Sequence, residues 1–486
     1  MPISLPTRMD TVYSPYINPI TNNIPLVGIG TPNGTQQFTE SVLKEMKDCG
    51  LNVAQNILSN DNAILNSLDA AKKTDFKILV RLPLTNLSSS DSISWIYPTS
   101  SHWDELYESW KNAVNKYGQR KEIAGWFIGD EPTLRDFWFY SQCKITIQKV
   151  FKTNNWSDCP SILTTLLGDS IYPDRLAGGL NSVSSDEISG LNKIRNYNDY
   201  YTHFYNLFKP SVNNFDIYPC RPEIKGSEDQ TGQNATEIIY FFNTLTYFLT
   251  IRKKTGIPFW STVQTCQESD LFLAPSKNTI QYQAFIALAF GAQGLSFWRF
   301  SDDSLHSLAP LDKNGNRTST FFELKEVLKD ISYHAGYFID TTDVEPYVTN
   351  IPNHNPEKRQ KFEGLNILSF DSTSGELKTP LAFVKNIKVK SDTAGFVVSK
   401  LTYSSGTNAI VVVNMDMEKS QRIRLDFSKY VRDVSAVPSG ISSVEPNSTS
   451  LSKDNLNDPK IGDLIVGKIN YYLGDVEPGG WKIFIE

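Results

Sequence analysis

From Ile24 to about Asp340 the chain repeats one pattern: a short apolar run, a polar turn, then a longer amphipathic segment. That alternation marks βα units, in which parallel strands are joined by helices that cover the sheet. Eight runs have strand character: Pro25 to Gly30, Leu51 to Gln55, Phe76 to Arg81, Ile123 to Ile128, Ser161 to Leu166, Phe215 to Tyr218, Pro258 to Gln264 and Gly294 to Trp298. Between them, Thr39 to Cys49 has helical spacing, with Val42, Leu43 and Met46 on one side and Gly50 to end it. Glu237 to Lys254 reads as a longer helix. Ile280 to Phe290 is a short, nearly all-apolar one, suited to tight packing. Eight strands with their helices over roughly 250–300 residues fit a (β/α)8 barrel. An open doubly wound sheet is the alternative, but it carries a Gly-rich phosphate turn after its first strand. Here Gly28-Ile29-Gly30 runs into Thr31-Pro32-Asn33-Gly34, which breaks that pattern.

Beyond Asp340 the helical period disappears. Short alternating runs such as Ala409 to Asn414 and Arg422 to Phe427 are separated by Ser, Asn, Asp, Gly and Pro clusters. This is the pattern of an antiparallel β-sandwich. The expected organisation is therefore α/β: a barrel over residues 1–340, then a smaller all-β sandwich over 341–486. The polar stretch from Asn350 to Lys361 is where a linker would fall.

Composition narrows the function classes. The net charge of −6 gives no basic field for nucleic acid. Five cysteines (Cys49, Cys143, Cys159, Cys220, Cys266) are an odd number without a C-x-x-C pair, so neither a disulfide framework nor a zinc site is expected. The five histidines are equally scattered, and no metal or cofactor motif emerges. No run of about 18 apolar residues occurs, so no transmembrane helix is expected. Met1 to Pro6 lacks the charged and apolar regions of a signal peptide. Oligomeric state is left open.

In a (β/α)8 barrel the strand C-termini and the loops after them form the active-site mouth. The fourth run ends in Gly129-Asp130-Glu131-Pro132, which puts two adjacent carboxylates there. Pro132 disfavours helix at Glu131 and stops the strand. Thr133, with Asp136 three residues on, is placed to cap the following helix. Adjacent strand residues point to opposite faces, so both carboxylates reach the mouth only if the strand bulges or kinks.

The segment resembles the strand-four motif of the large clan of (β/α)8 glycoside hydrolases that includes the family 42 β-galactosidases. There the strand ends in Asn-Glu-Pro or a close variant, with Glu as general acid/base. Further fragments resemble the clan in order and spacing: Gly50-Leu51-Asn52-Val53, Phe215 to Pro219, Gly256 to Trp260, Gln283 to Gly294, and Val476 to Trp481 in the C-terminal β region. The resemblance implies a glycoside hydrolase acting on a carbohydrate substrate, with Glu131 as proton donor. By analogy with glycan-degrading enzymes it implies a secreted or periplasmic location. The chemistry needs one protonated carboxyl to release the leaving oxygen and a second carboxylate to attack or to activate water.

The sequence departs from that pattern at strand seven. The clan's nucleophilic Glu belongs there, and this chain has Val263-Gln264-Thr265-Cys266. Gln264 cannot be a nucleophile. Asp216 is the first candidate for the second carboxylate, then Asp130, then Glu268. An Asp130-Glu131 pair also resembles hexosaminidases, where the substrate's acetamido group attacks. Trp298 and Phe300 are candidates for stacking a sugar. Asn33, Arg81, Tyr218, Gln264, Glu268 and Arg299 are candidates for binding hydroxyls, as are Asp302 and Asp303. A barrel that binds carbohydrate without cleaving it is the competing reading.

Overall fold

The computed structural model describes residues 16–21, 23–32, 37–55, 60–81, 100–132, 136–156, 159–167, 197–220, 233–268, 272–349, 366–368, 370–371, 376–377, 381, 383–389, 395–435 and 469–486. Eight parallel strands close into a barrel: β1 (Leu26–Ile29), β2 (Val53–Gln55), β3 (Lys77–Arg81), β4 (Ile123–Asp130), β5 (Ser161–Leu167), β6 (Asn213–Asp216), β7 (Phe259–Gln264) and β9 (Leu295–Trp298). Closure is made where β1 pairs with β9, Leu26 opposite Leu295 and Ile29 opposite Trp298. The eight runs read from the sequence are these strands. The sixth starts earlier than read and ends at Asp216, which leaves Tyr218 in the loop beyond it.

The helices follow from local signals. Helix α1 (Glu40–Cys49) starts at Thr39, whose hydroxyl accepts the Val42 N–H, and ends at Gly50 with φ +108°. Only glycine adopts that conformation without strain. Next come α2 (Asp61–Thr74), α3 (Ser100–Tyr117), α4 (Asp136–Thr153), α5 (Tyr197–Phe208) and α6 (Gln233–Thr255). Thr133, the expected cap of α4, lies outside the described residues. A two-stranded ribbon joins β8 (Gln267–Glu268) to β10 (His306–Ser307).

Helix α7 (Lys277–Ala289) is buried along its length from Thr279 to Ala289, which explains why its sequence has no polar face. One side meets β7 and the other meets the C-terminal sheet. Helix α8 (Ser319–His334) lies beside it.

The C-terminal strands are β11 (Thr341–Val348), β12 (Asn366–Ile367), β13 (Phe370–Asp371), β14 (Glu376–Leu377), β15 (Val384–Val389), β16 (Phe396–Tyr403), β17 (Asn408–Asn414), β18 (Gln421–Asp433), β19 (Ile469–Val476) and β20 (Trp481–Ile485). The long strand β18 makes the sandwich. Its first half pairs with β15 and β19, and its last residues pair with β20. The two halves enclose Ile387, Val398, Ile410, Ile423, Leu425 and Phe484. Trp481 ties the sandwich to the barrel. Its ring stacks on Phe285 at 4.8 Å between centroids and its indole N–H donates to Asp330 at 2.7 Å. His334 meets the same ring edge-on at 4.7 Å and the Val434 carbonyl at 2.9 Å.

Among the described residues no helix is long and apolar enough to cross a membrane.

Candidate active site

The mouth is built from the ends of β4, β6, β7 and β9. Along β4 the pairing with β5 slips between Phe127 and Asp130, and Glu131 then takes φ +42°. This is the kink that the sequence required for both carboxylates to be open to the mouth, and both are exposed. A left-handed backbone at a non-glycine residue costs on the order of 1–3 kcal/mol and persists only where its surroundings enforce it. Here the Glu131 N–H donates to the Thr165 carbonyl at 2.9 Å, and the Tyr200 hydroxyl donates to the Pro132 carbonyl at 2.6 Å. Gly129 is fixed by crowding: a Cβ there would strike the Tyr140 hydroxyl.

Asp130 is anchored from the barrel wall. The Asn214 amide donates to the Thr165 hydroxyl at 2.9 Å, and that hydroxyl is hydrogen-bonded to Asp130. Arg81, whose guanidinium lies 5.8 Å from the Phe127 ring, supplies an opposing charge. Although Asp130 is exposed as a residue, protein atoms crowd around its carboxyl. Burial therefore raises its proton affinity, while Arg81 and Thr165 pull it back.

Asp216 ends β6, two strands away, and its side chain is hydrogen-bonded to Glu131. Its Oδ1 is buried and meets no N–H or hydroxyl donor. Two bare carboxylates at such range repel, so the arrangement is stable when the pair holds a proton. Burial first, then the charges of Glu131 and Asp130, push the Asp216 carboxyl well above its ordinary value. Tyr218 joins the group. Its ring lies 5.0 Å from Phe272, and burial together with Asp216, Glu131 and Asp130 holds its phenol firmly protonated.

Gln264 has a different surrounding. Its amide nitrogen donates to the carbonyls of Cys266 at 3.0 Å and Leu273 at 2.7 Å, and the residue is 2% exposed. It therefore braces the loop after β7. Arg299 is 1% exposed and enclosed: it pairs with Asp303 and lies against Gly30. Phe300 is fully buried and belongs to the barrel core, so it offers no face to a sugar. Trp298 is half-buried at the end of β9, with His306 edge-on at 5.5 Å. Glu268 sits on the ribbon opposite His306. Asp302 accepts the Ala309 N–H at 2.8 Å. Asn33 lies outside the described residues.

The fold thus brings together Asp130, Glu131, Asp216, Tyr218 and Arg81. Sequence reading missed Thr165, Asn214 and His306. The first two stand at inward positions near strand ends, where a polar residue is unusual in a barrel interior dominated by branched aliphatics. His306 follows Asp303 at a spacing that lets the two touch. Among the described residues no group of three or more His, Cys, Asp or Glu is arranged to hold a metal.

No protein-family model matches this sequence, and no curated protein matches it. Solved structures do match in fold. The catalytic mutant of Gan42B, a GH42 β-galactosidase from G. stearothermophilus, superposes with TM-score 0.55 and 8% identity over 97% of this chain and 99% of that chain. Gan42B itself gives TM-score 0.54, again at 8% identity over 97% and 99% of the two chains. A β-glucuronidase from Ruminococcus gnavus aligns at TM-score 0.39 and 11% identity over 63% of this chain and 50% of that one. The chain thus shares the barrel-and-sandwich fold of Gan42B.

Proposed function

We propose that the protein is a glycoside hydrolase whose proton donor is Glu131. The observation that carries this reading is the side-chain contact between Glu131 and Asp216 at the C-terminal mouth of a closed barrel, where burial and the neighbouring carboxyls raise the proton affinity of Asp216. Cleavage of a glycosidic bond needs a carboxyl that is still protonated near neutral pH. A contact between two carboxyls supplies that condition, because two like charges so close do not both ionise. Asp216 carries the proton of the pair and passes it to Glu131, which delivers it to the leaving oxygen. Asp130, anchored through Thr165 and Arg81, presents negative charge where a sugar ring would gain positive charge in the oxocarbenium-like transition state. Trp298 offers an apolar face for the ring, and Tyr218 a hydroxyl for its polar groups.

One observation favours a second reading, a barrel that binds sugar without cleaving it. Gln264 stands at the strand-seven end, and its amide is bound into the loop. The two readings separate in one experiment. The protein and Glu131→Gln are incubated with 4-nitrophenyl glycosides of galactose, glucose, N-acetylglucosamine and glucuronic acid, and sugar binding is followed by calorimetry. Release of nitrophenol by the wild type and its loss in the variant support hydrolysis. Binding without release by the wild type refutes it.

A further inference from the structure

Alternate residues of a barrel strand face the bore, and those between them face the helices. On β6 the bore side carries Asn214 and Asp216, in line with Val212. On β7 it carries Thr262 and Gln264, in line with Trp260, and on β9 it carries Ser296, in line with Trp298. Val212, Trp260 and Trp298 belong to the apolar cluster of the bore, whereas Phe215, Val263 and Phe297 pack outward with the helices.

Register sets three of these residues side by side. Phe215 stands opposite Ser261, so the next pair, Asp216 and Thr262, is level, and Thr262 stands opposite Ser296. Thr262, Ser296 and Asn214 are 2%, 0% and 0% exposed. Each has an oxygen that meets no hydrogen-bond partner among the described residues: Thr262 Oγ1, Ser296 Oγ and Asn214 Oδ1, together with Asp216 Oδ1 beside them. The Asn214 amide nitrogen is already spent on Thr165, at 2.9 Å. The bore of such a barrel is ordinarily filled by branched aliphatics, so a polar patch here needs a reason. A buried oxygen without a partner is costly, and internal water is the usual remedy, one molecule making about three hydrogen bonds. Neighbouring strands lie about 4.8 Å apart, a gap that one water spans with an ordinary hydrogen bond on each side.

We propose that Thr262, Ser296 and Asn214 seat an internal water against Asp216 Oδ1, and that this water steadies the Asp216 carboxylate while its proton is on Glu131. The proposal rests on the hydrolase reading given above. The Thr262 hydroxyl donates to the water, which gives its two hydrogens to Asp216 Oδ1 and Asn214 Oδ1, and the Ser296 hydroxyl closes the far side. The handover moves one proton from Asp216 to Glu131 and leaves the negative charge on Asp216. Glu131 then gives that proton to the leaving oxygen, which keeps the electron pair of the broken C–O bond. The anomeric carbon ends with the hydroxyl of the water that completes hydrolysis, and the other proton of that water returns to the carboxyl pair. Thr262 lies beneath the mouth and is a positioning residue. The charged and titratable groups that face Asp216 are Glu131 and Asp130 from β4 and Tyr218 from its own loop. On its two neighbouring strands Leu167 and Thr262 stand level with it, and neither titrates.

The test uses the full chain with Thr262→Val, which removes the hydroxyl and keeps the shape, and Thr262→Ser, which keeps the hydroxyl. Carbon-detected NMR should show the Asp216 carboxyl titrating about one pH unit higher in Thr262→Val, the worth of one hydrogen bond to a charged group. In Thr262→Ser it should titrate as in the wild type. On whichever of the four nitrophenyl glycosides the chain cleaves, Thr262→Val should lose roughly tenfold in kcat with KM unchanged. Its alkaline limb should move to higher pH, because the ionised form has lost support. Circular dichroism checks folding. A threonine that only packs would shift the unfolding midpoint and leave the Asp216 titration in place. An unmoved titration in Thr262→Val, an equal shift in Thr262→Ser, or a crystal structure in which no internal water joins Thr262 to Asp216 overturns the proposal. If activity depends on Glu131 while Thr262→Val keeps the wild-type kcat and limb, this inference alone falls. If the wild type cleaves none of the four, the hydrolase reading falls and takes this inference with it.

Discussion

Replacing Asp216 by Asn should make the folded protein more stable at neutral pH while impairing its chemistry. The wild-type residue has a buried Oδ1 with no donor and a carboxyl neighbour in Glu131. An Asn side chain is nearly isosteric, cannot ionise, and brings an N–H that can donate to Glu131. The expected gain near pH 7 comes from removing a group the fold must keep protonated, about 1.4 kcal/mol for each pH unit between its folded and unfolded titrations. Its pH dependence follows from the direction of the Asp216 shift. The folded protein holds this proton well above the ordinary value of 3.8, at which the unfolded chain releases it. Below 3.8 both states are protonated and the carboxyl costs nothing. As pH rises, the unfolded chain loses the proton first, and wild-type stability falls until the folded carboxyl titrates. The variant lacks this slope, so its advantage should be small near pH 3 and grow toward neutrality. Urea unfolding followed by tryptophan fluorescence at both pH values measures it. An advantage of equal size at the two pH values would attribute the effect to packing, and a less stable variant at pH 7 would refute the shared-proton argument. Activity gives an independent reading. With only one carboxyl to hold the proton, the alkaline limb of the rate profile should move to lower pH.

Glu131→Gln should lose about 10²–10⁴-fold in kcat on aryl glycosides, with circular dichroism showing that it folds. Thr165→Val removes the hydroxyl that lowers the proton affinity of Asp130, so the Asp130 carboxyl should titrate at higher pH in carbon-detected NMR. Gly129→Ala forces a methyl into the Tyr140 hydroxyl and should destabilise by about 1–3 kcal/mol, visible as a lower urea midpoint. Trp481→Ala empties the contact between α7, α8 and the sandwich. It should cost about 3–5 kcal/mol and speed proteolytic cleavage between barrel and sandwich.

The barrel was legible because its signals are local. Strand and helix periods, the Thr39 and Gly50 caps of α1 and the apolar α7 all operate within a few residues of themselves. The Gly-Asp-Glu-Pro segment could be placed at the mouth because a strand ends where Pro132 follows. The sixth strand was misplaced by two residues, since Asn213 and Asn214 look like loop residues. Their side chains are instead buried and bonded inside the barrel, Asn213 to Tyr201 and Asn214 to Thr165. Tertiary context overrode a poor strand propensity. Phe300 and Arg299 read as mouth residues from their position after a strand, yet the core and Asp303 claim them.

What the sequence by itself determined is the order of the elements and the presence of Glu131 at a strand end, because those depend on backbone preference and hydrophobic spacing. What only the tertiary structure decided is which groups meet. Glu131 and Asp216 touch because β4 and β6 are separated by one strand in a closed sheet whose register brings both ends to the same rim. His306 faces Glu268 because two loops that follow different strands pair over the mouth. A contact between residues on different strands is a property of distance in the folded chain, which is not written in the spacing of residues along it.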